Sequence, residues 1–295
     1  MTKIRSTDSS RIQDRRGQGG GGGFSFPGLG GGGGMGIPTK MGGGIIGIIV
    51  VLAALFLPRL LGGANQPAVN STGETSGDAA EICNDELEQI VCGATKDVQE
   101  QYWATAFPQA FGGEYEFTDT VFFSGVTSTN CGQASSEVGP FYCPADKFVY
   151  FDLDFLTQLQ QQFGATGDLA AQYIVAHEYG HHVQNLIGVS EQVNQAQAAQ
   201  PARANAYSVA LELQADCFAG AWARSAEDRG LLEPGDLEEA LNAAAAVGDD
   251  RIQQQTTGRI DRESWTHGSS EQRVQWFRRG FDTGDPQRCT TFEEL

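Results

Sequence analysis

Residues 176–184 read AHEYGHHVQ, and the reading of the rest of the chain turns on this stretch. His177 and His181 stand four residues apart, flanked by Tyr173, Ile174, Val175 and Val183. This predicts a core-lining helix from Asp168 to Ile187, opened by Thr166 or Asp168 and closed by Gly188. Helical spacing projects both imidazoles from one face, where they can reach a single metal ion. Glu178 is rotated about 100° from His177, close enough to approach a water on the metal without being a ligand. His182 faces away from His181 by a similar angle, so a hydrogen-bonded packing role is expected for it. The chain has only 4 histidines, which makes a chance HExxH improbable.

A catalytic zinc takes three protein ligands and keeps one position open. The third ligand must then come from a second element. A helix is expected over Ala202–Asp228, with Pro201 suited to its first turn and Gly230 past its end. It carries ELQAD, which puts Glu212 and Asp216 on one face among Val209, Ala210, Leu211, Leu213, Ala215 and Phe218. An unpaired carboxylate is costly in such surroundings, so Glu212 is read as the third ligand. Asp216, one turn along, is read as the acceptor for the free N–H of a ligand histidine. The reversed assignment, with Asp216 on the metal, is the alternative. His267 lies in WTHGSSEQRV, just before a helix expected over Ser269–Arg279 that has capping-box spacing at Ser269 and Gln272 and a stop at Gly280. A loop could present His267 to an oxyanion; otherwise it is a surface residue.

Outward from this centre, Asp85–Phe107 has helical spacing with Asn84 or Asp85 as cap, and Leu237–Val247 is Ala-rich and helical. Tyr115–Phe123 and Lys147–Leu153 read as strands. Residues 81–295 are therefore expected to form one α+β domain, mostly helical in its second half. Residues 62–80 are polar and small, a linker. Ile45–Leu57 (IIGIIVVLAALFL) is an apolar core of 13 residues that its flanks extend to a candidate membrane helix over 42–61. Residues 1–41 are Gly-rich, with 16 of the chain's 39 glycines in 17–44, and are expected to be a disordered tail. Residues 1–61 hold seven basic groups and two acidic ones; the remaining 12 basic and 35 acidic groups give the rest of the chain a net charge of −23. The basic flank predicts a single-pass anchor in a cell membrane, with the N-terminus cytoplasmic and the domain extracytoplasmic. So acidic a body repels phosphate backbones, which excludes nucleic acid as its partner. All 6 cysteines follow the apolar segment, consistent with disulfides in an oxidising compartment. Cys83 with Cys92 and Cys131 with Cys143 are the short-range pairs, leaving Cys217 with Cys289; buried free thiols are the other reading.

VGPFYCPADKFVYFDLDFL (138–156), IVAHEYGHHVQNLIG (174–188), ELQADCFAGAWA (212–223) and WTHGSSEQRVQWFRRGF (265–281) together resemble the bacterial neutral zinc metallopeptidases that carry a single N-terminal anchor. The order is more distantly similar to membrane endopeptidases of the CAAX-prenyl protease and heat-shock protease type. The resemblance implies a zincin-like domain, mostly helical with a small antiparallel sheet. It also implies zinc on His177, His181 and Glu212, catalysis by Glu178, and a peptide or protein substrate added along the KFVYFDL strand as an edge. Here Gly268 follows His267, where the distant relatives have proline. The function expected is a membrane-anchored zinc endopeptidase. The alternative is an inactive, zinc-stabilised binding module, with Cys217 as a candidate fourth ligand.

Overall fold

The computed structural model describes residues 2–17, 82–163 and 167–295. The expected linker over 62–80, the candidate membrane helix over 42–61 and residues 18–41 of the expected tail lie outside the described residues. Among the described residues, no helix is long and apolar enough to cross a membrane.

Asp85 caps helix α1 (Glu86–Lys96) in a reciprocal bond pair with Glu88. The helical run continues through a π-helical stretch (Asp97–Trp103) into α2 (Ala104–Phe111), four residues beyond the expected end. The strands are β1 (Ile12–Asp14), β2 (Thr120–Phe123), β3 (Val126–Thr129), β4 (Gly132–Ser135), β5 (Phe141–Tyr142) and β6 (Val149–Asp152). β3 and β4 form a separate hairpin, and the main sheet has the order β1-β2-β6-β5. Its β1–β2 and β2–β6 pairs are parallel and its β5–β6 pair antiparallel. The sheet is thus mixed, not antiparallel as the resemblance implied. β6, expected to be an edge, is interior, and β5 is an edge. The lack of an apolar–polar alternation in β2 and β6 fits this placement, because all four residues of each are buried.

The second half is helical: α3 (Leu153–Phe163), α4 (Asp168–Leu186), α5 (Val189–Ala199), α6 (Ala204–Asp228), α7 (Asp236–Ala246), α8 (Asp249–Thr256) and α9 (Ser270–Thr283). The α4 and α6 ends agree with the expected ones to within two residues. Most of the buried side chains of these helices join those of α1 and the sheet in one core that includes Trp103, Phe151, Tyr173, Trp222 and Phe277. Ser269 and Gln272 form the expected capping box, but Gly280 does not stop α9. A Cβ at Gly280 would come within 1.9 Å of the Cys217 carbonyl oxygen, so glycine there lets α9 lie against α6. The helix ends instead at Gly284, whose φ of 62° is left-handed. The disulfides are Cys83–Cys92, Cys131–Cys143 and Cys217–Cys289, with no free cysteine, as the spacing suggested.

Residues 2–17 depart most from expectation. They fell within the expected disordered tail, yet they supply strand β1 and bury Ile4 and Ile12 in the main core. Their scattered charges find partners on the acidic body: Arg5 with Glu86 and Asp168, Arg11 with Glu100, Arg16 with Glu88, and Asp8 with Lys96. Two isolated isoleucines among charges look unfoldable alone, and they order here only because the domain provides the other half of each contact.

Candidate metal centre

His177, Glu178 and His181 are carried by α4, and Glu212 and Asp216 by α6. The two helices approach closely at Gly180, where a Cβ would lie 3.1 Å from the Ala215 Cα. Nearby, one donor atom each from His177, His181 and Glu212 gathers within 4.8 Å of the others. Glu212 Oε2 lies 3.1 Å from His177 Nε2, and Glu212 Oε1 lies 3.4 Å from His181 Nε2. Two imidazole nitrogens and a carboxylate oxygen form a donor set that zinc accepts. No cysteine thiolate can complete it as a fourth ligand, since Cys217 is bonded to Cys289.

Each histidine is oriented by its other nitrogen. His177 Nδ1 donates to Asp216 Oδ1 at 2.8 Å, and His181 Nδ1 donates to Gln184 Oε1 at 2.8 Å. Both oxygens of Asp216 are engaged by further partners. Arg273 reaches Oδ2 through Nε at 2.8 Å and Oδ1 through a terminal nitrogen at 2.9 Å, while the Tyr173 hydroxyl donates to Oδ1 at 2.6 Å. Gln184 in turn donates to the Leu211 carbonyl and to Gln214 Oε1.

The fields follow from this geometry. Burial alone would lower the His177 ring, but the Asp216 and Glu212 carboxylates outweigh it and push it up to about 9. For His181, burial is likewise outweighed, chiefly by Glu212, and the ring is raised. Glu212 is held well below the carboxylate range despite its burial, by His181 and His177. Asp216 is held low against burial by Arg273 and His177. Glu178 behaves differently, because burial pushes its carboxyl up against the pull of the two imidazoles.

His182 takes the packing role expected of it. Its Nε2 donates to the Glu116 carbonyl at 2.7 Å and its Nδ1 accepts from the Tyr142 hydroxyl at 3.0 Å. Burial lowers its pKa to about 4, keeping the ring neutral. His267 is not an open surface residue, since its side chain is only 13% exposed. Asp249 holds the loop: its Oδ2 accepts from the backbone N–H groups of Thr266, His267 and Gly268, and its Oδ1 faces His267 Nδ1 at 3.2 Å. The loop rests on α6 beside Val209 and Leu213, and the His267 ring contributes to the field on Glu212.

Sequence reasoning missed Arg273, Tyr173 and Gln184, although signals for each exist. Arg273 shares the stripe of α9 that buries Trp276, Phe277, Gly280 and Phe281, and a charge on a buried stripe implies a buried counter-charge. Tyr173 is four residues before His177 and Gln184 three after His181, both on the ligand face. Asp249 gave no signal.

A pair of imidazoles from HExxH facing a glutamate on the neighbouring helix is a donor set that can hold one metal ion. The chain belongs to the family described as "Putative neutral zinc metallopeptidase", whose pattern matches residues 1–292. It is 44% identical over 293 residues to a protein of Escherichia coli K12 named "Uncharacterized protein YpfJ", covering 97% of this chain and 96% of that one. It is 58% identical over 181 residues to "Uncharacterized protein Mb2605" of Mycobacterium bovis, covering 58% of this chain and 60% of the other. No solved structure matches it.

Proposed function

We propose that the protein is a zinc endopeptidase in which His177, His181 and Glu212 hold the metal and Glu178 is the general base. The observation that carries this reading is the convergence of those three donors beside a buried Glu178 one residue from a ligand. Zinc bound there would act as a Lewis acid, lowering the pKa of water and polarising a scissile carbonyl. The rest falls to the chain's own side chains. Glu178 takes the proton of the attacking water and passes it to the leaving amine nitrogen, and a carboxyl raised by burial is suited to both transfers. Asp216 and Gln184 fix the ligand rings so that each Nε2 lone pair points inward. With Nδ1 accepting from the Thr266 hydroxyl, His267 donates from Nε2 to the developing oxyanion. An extended substrate adds at β5, an edge tied to α4 through the Tyr142 hydroxyl, which His182 and Asn185 both reach. The three disulfides are the support for placing the domain in an oxidising compartment.

The test is Glu178→Gln in the full chain. It is expected to keep zinc at the wild-type stoichiometry and to lose hydrolysis of an unfolded protein substrate by about 10²–10⁴-fold. Cleavage at the wild-type rate would remove Glu178 from the mechanism.

A further inference from the structure

The N-terminal segment touches the first of the two helices that carry the metal cluster and the turn that follows the second. At the start of α4, Arg5 donates to Asp168 at 2.8 Å, and one turn later Gln172 donates to the Thr2 hydroxyl and the Ile4 carbonyl, each at 2.7 Å. Gln172 is fully buried and lies five residues before His177. Just past α6, the Lys3 backbone N–H donates to the Leu231 carbonyl and the Lys3 ammonium to that of Gly230, each at 3.0 Å. Against α1, the Ser6 N–H donates to the Gln89 carbonyl, and the contact is close enough that a Cβ at Gly93 would come within 2.6 Å of the Arg5 Cα. Through the sheet, Thr120 of β2 accepts the register of β1, donating its N–H to the Arg11 carbonyl at 2.9 Å. The Thr120 hydroxyl then meets that of Tyr179, between Glu178 and Gly180, at 2.8 Å.

We propose that residues 2–17 are a clip that fixes the metal-bearing helix, so that the N-terminus and the catalytic domain lie on the same side of any membrane. The inference rests on the zinc reading only for its effect on metal affinity. It revises the single-pass topology expected from the sequence, since one net crossing between residues 17 and 82 would put clip and acceptor on opposite faces.

Two measurements on the full chain test this. In Ile4→Asp/Ile12→Asp, buried charges expel the segment. Backbone hydrogen exchange over 168–176 is expected to accelerate and zinc affinity to fall about tenfold, a usual size for coupled sites. Unchanged exchange over 168–176 would overturn the clip. If the double variant fails to fold, Arg5→Ala, which removes only the contacts to Asp168 and Glu86, must shift exchange in the same direction. A wild-type chain that binds no zinc would sink the peptidase reading and leave the exchange result standing. For the compartment, Thr7→Cys and Arg259→Cys, both at exposed positions, are exposed in intact cells to a membrane-impermeant maleimide. Matching behaviour of the two sites is expected. Labelling of Arg259→Cys with Thr7→Cys reactive only after the membrane is opened would overturn the shared compartment.

Discussion

His177 and His181 sit one helical turn apart and face the same glutamate, yet they are oriented by different chemistry. The His177 ring is held by a carboxylate that is itself fully buried and clamped by Arg273 from α9. The His181 ring is held by a neutral amide, Gln184, whose chain of bonds runs through Gln214 to the carbonyl of Cys289. The first arrangement places charge deep in the core and is stable only while every partner is present. The second is a neutral network, in which a lost bond leaves a dipole unpaired rather than a charge. One ligand therefore depends on the position of a third helix, and the other on local geometry and the C-terminal disulfide.

The largest effect is expected on the charged side. Asp216→Ala would leave the Arg273 guanidinium, 3% exposed, without its counter-charge, at a cost of about 3–5 kcal/mol in stability. The same change frees the His177 ring and should weaken zinc binding by about 10–100-fold. Replacing Arg273 as well, in Asp216→Ala/Arg273→Met, removes the stranded charge and should recover much of the stability but none of the zinc affinity. Denaturant unfolding and zinc titration of both variants separate the two roles. A double variant no more stable than the single one would show that Arg273 is not a buried charge in need of a partner.

The pH dependence sharpens the same contrast. In the metal-free protein the His177 ring stays protonated up to about 9 between two carboxylates. The folded pKa is raised, so this proton contributes stability fully below the ordinary histidine value, and the contribution fades as pH rises through about 9. Zinc must displace the proton, so apparent affinity should climb by about tenfold per pH unit from neutrality toward 9. Asp216→Asn, which removes the nearest field, should flatten that slope, whereas changes at Gln184 should not. Chelator-competition titrations at several pH values measure it directly, and a slope unaffected by Asp216→Asn would assign the proton elsewhere.

The parts of the molecule legible in the sequence are those where local pattern and chemistry coincide. HExxH on an apolar helix, ELQAD on another and the paired cysteines each carry their own signature, and the structure brings His177, His181, Glu212 and Asp216 together. The illegible parts depend on partners distant in sequence. The order of the sheet could not be read, because β2 and β6 are buried on both faces and lack the alternation that marks an edge or a half-buried strand. Gly280 looked like a helix stop because a glycine needed for close approach and one needed for a left-handed turn are the same letter. Residues 2–17 looked like tail because isoleucines at 4 and 12 are too few to fold by themselves, and the acidic acceptors for their arginines lie more than sixty residues away. Arg273 could have been inferred from its place on a buried stripe, but which carboxylate it meets could not.

Gln184 gives the smallest predicted effect and the most exacting test of the contrast. Gln184→Leu keeps the volume of the side chain roughly and deletes its bonds to His181, Leu211 and Gln214. A neutral hydrogen bond contributes about 1 kcal/mol net, so zinc affinity should fall by about fivefold, well short of the loss at Asp216. The pH slope should survive, because Asp216 still holds the proton on His177. Stability should drop more than zinc affinity does, since the Leu211 carbonyl and the Gln214 side chain lose a buried donor together. If Gln184→Leu instead weakened zinc as much as Asp216→Ala, charge would not be what distinguishes the two ligands. The orientation of His181 by α4 and α6 alone would then be as consequential as the reach of α9 to His177.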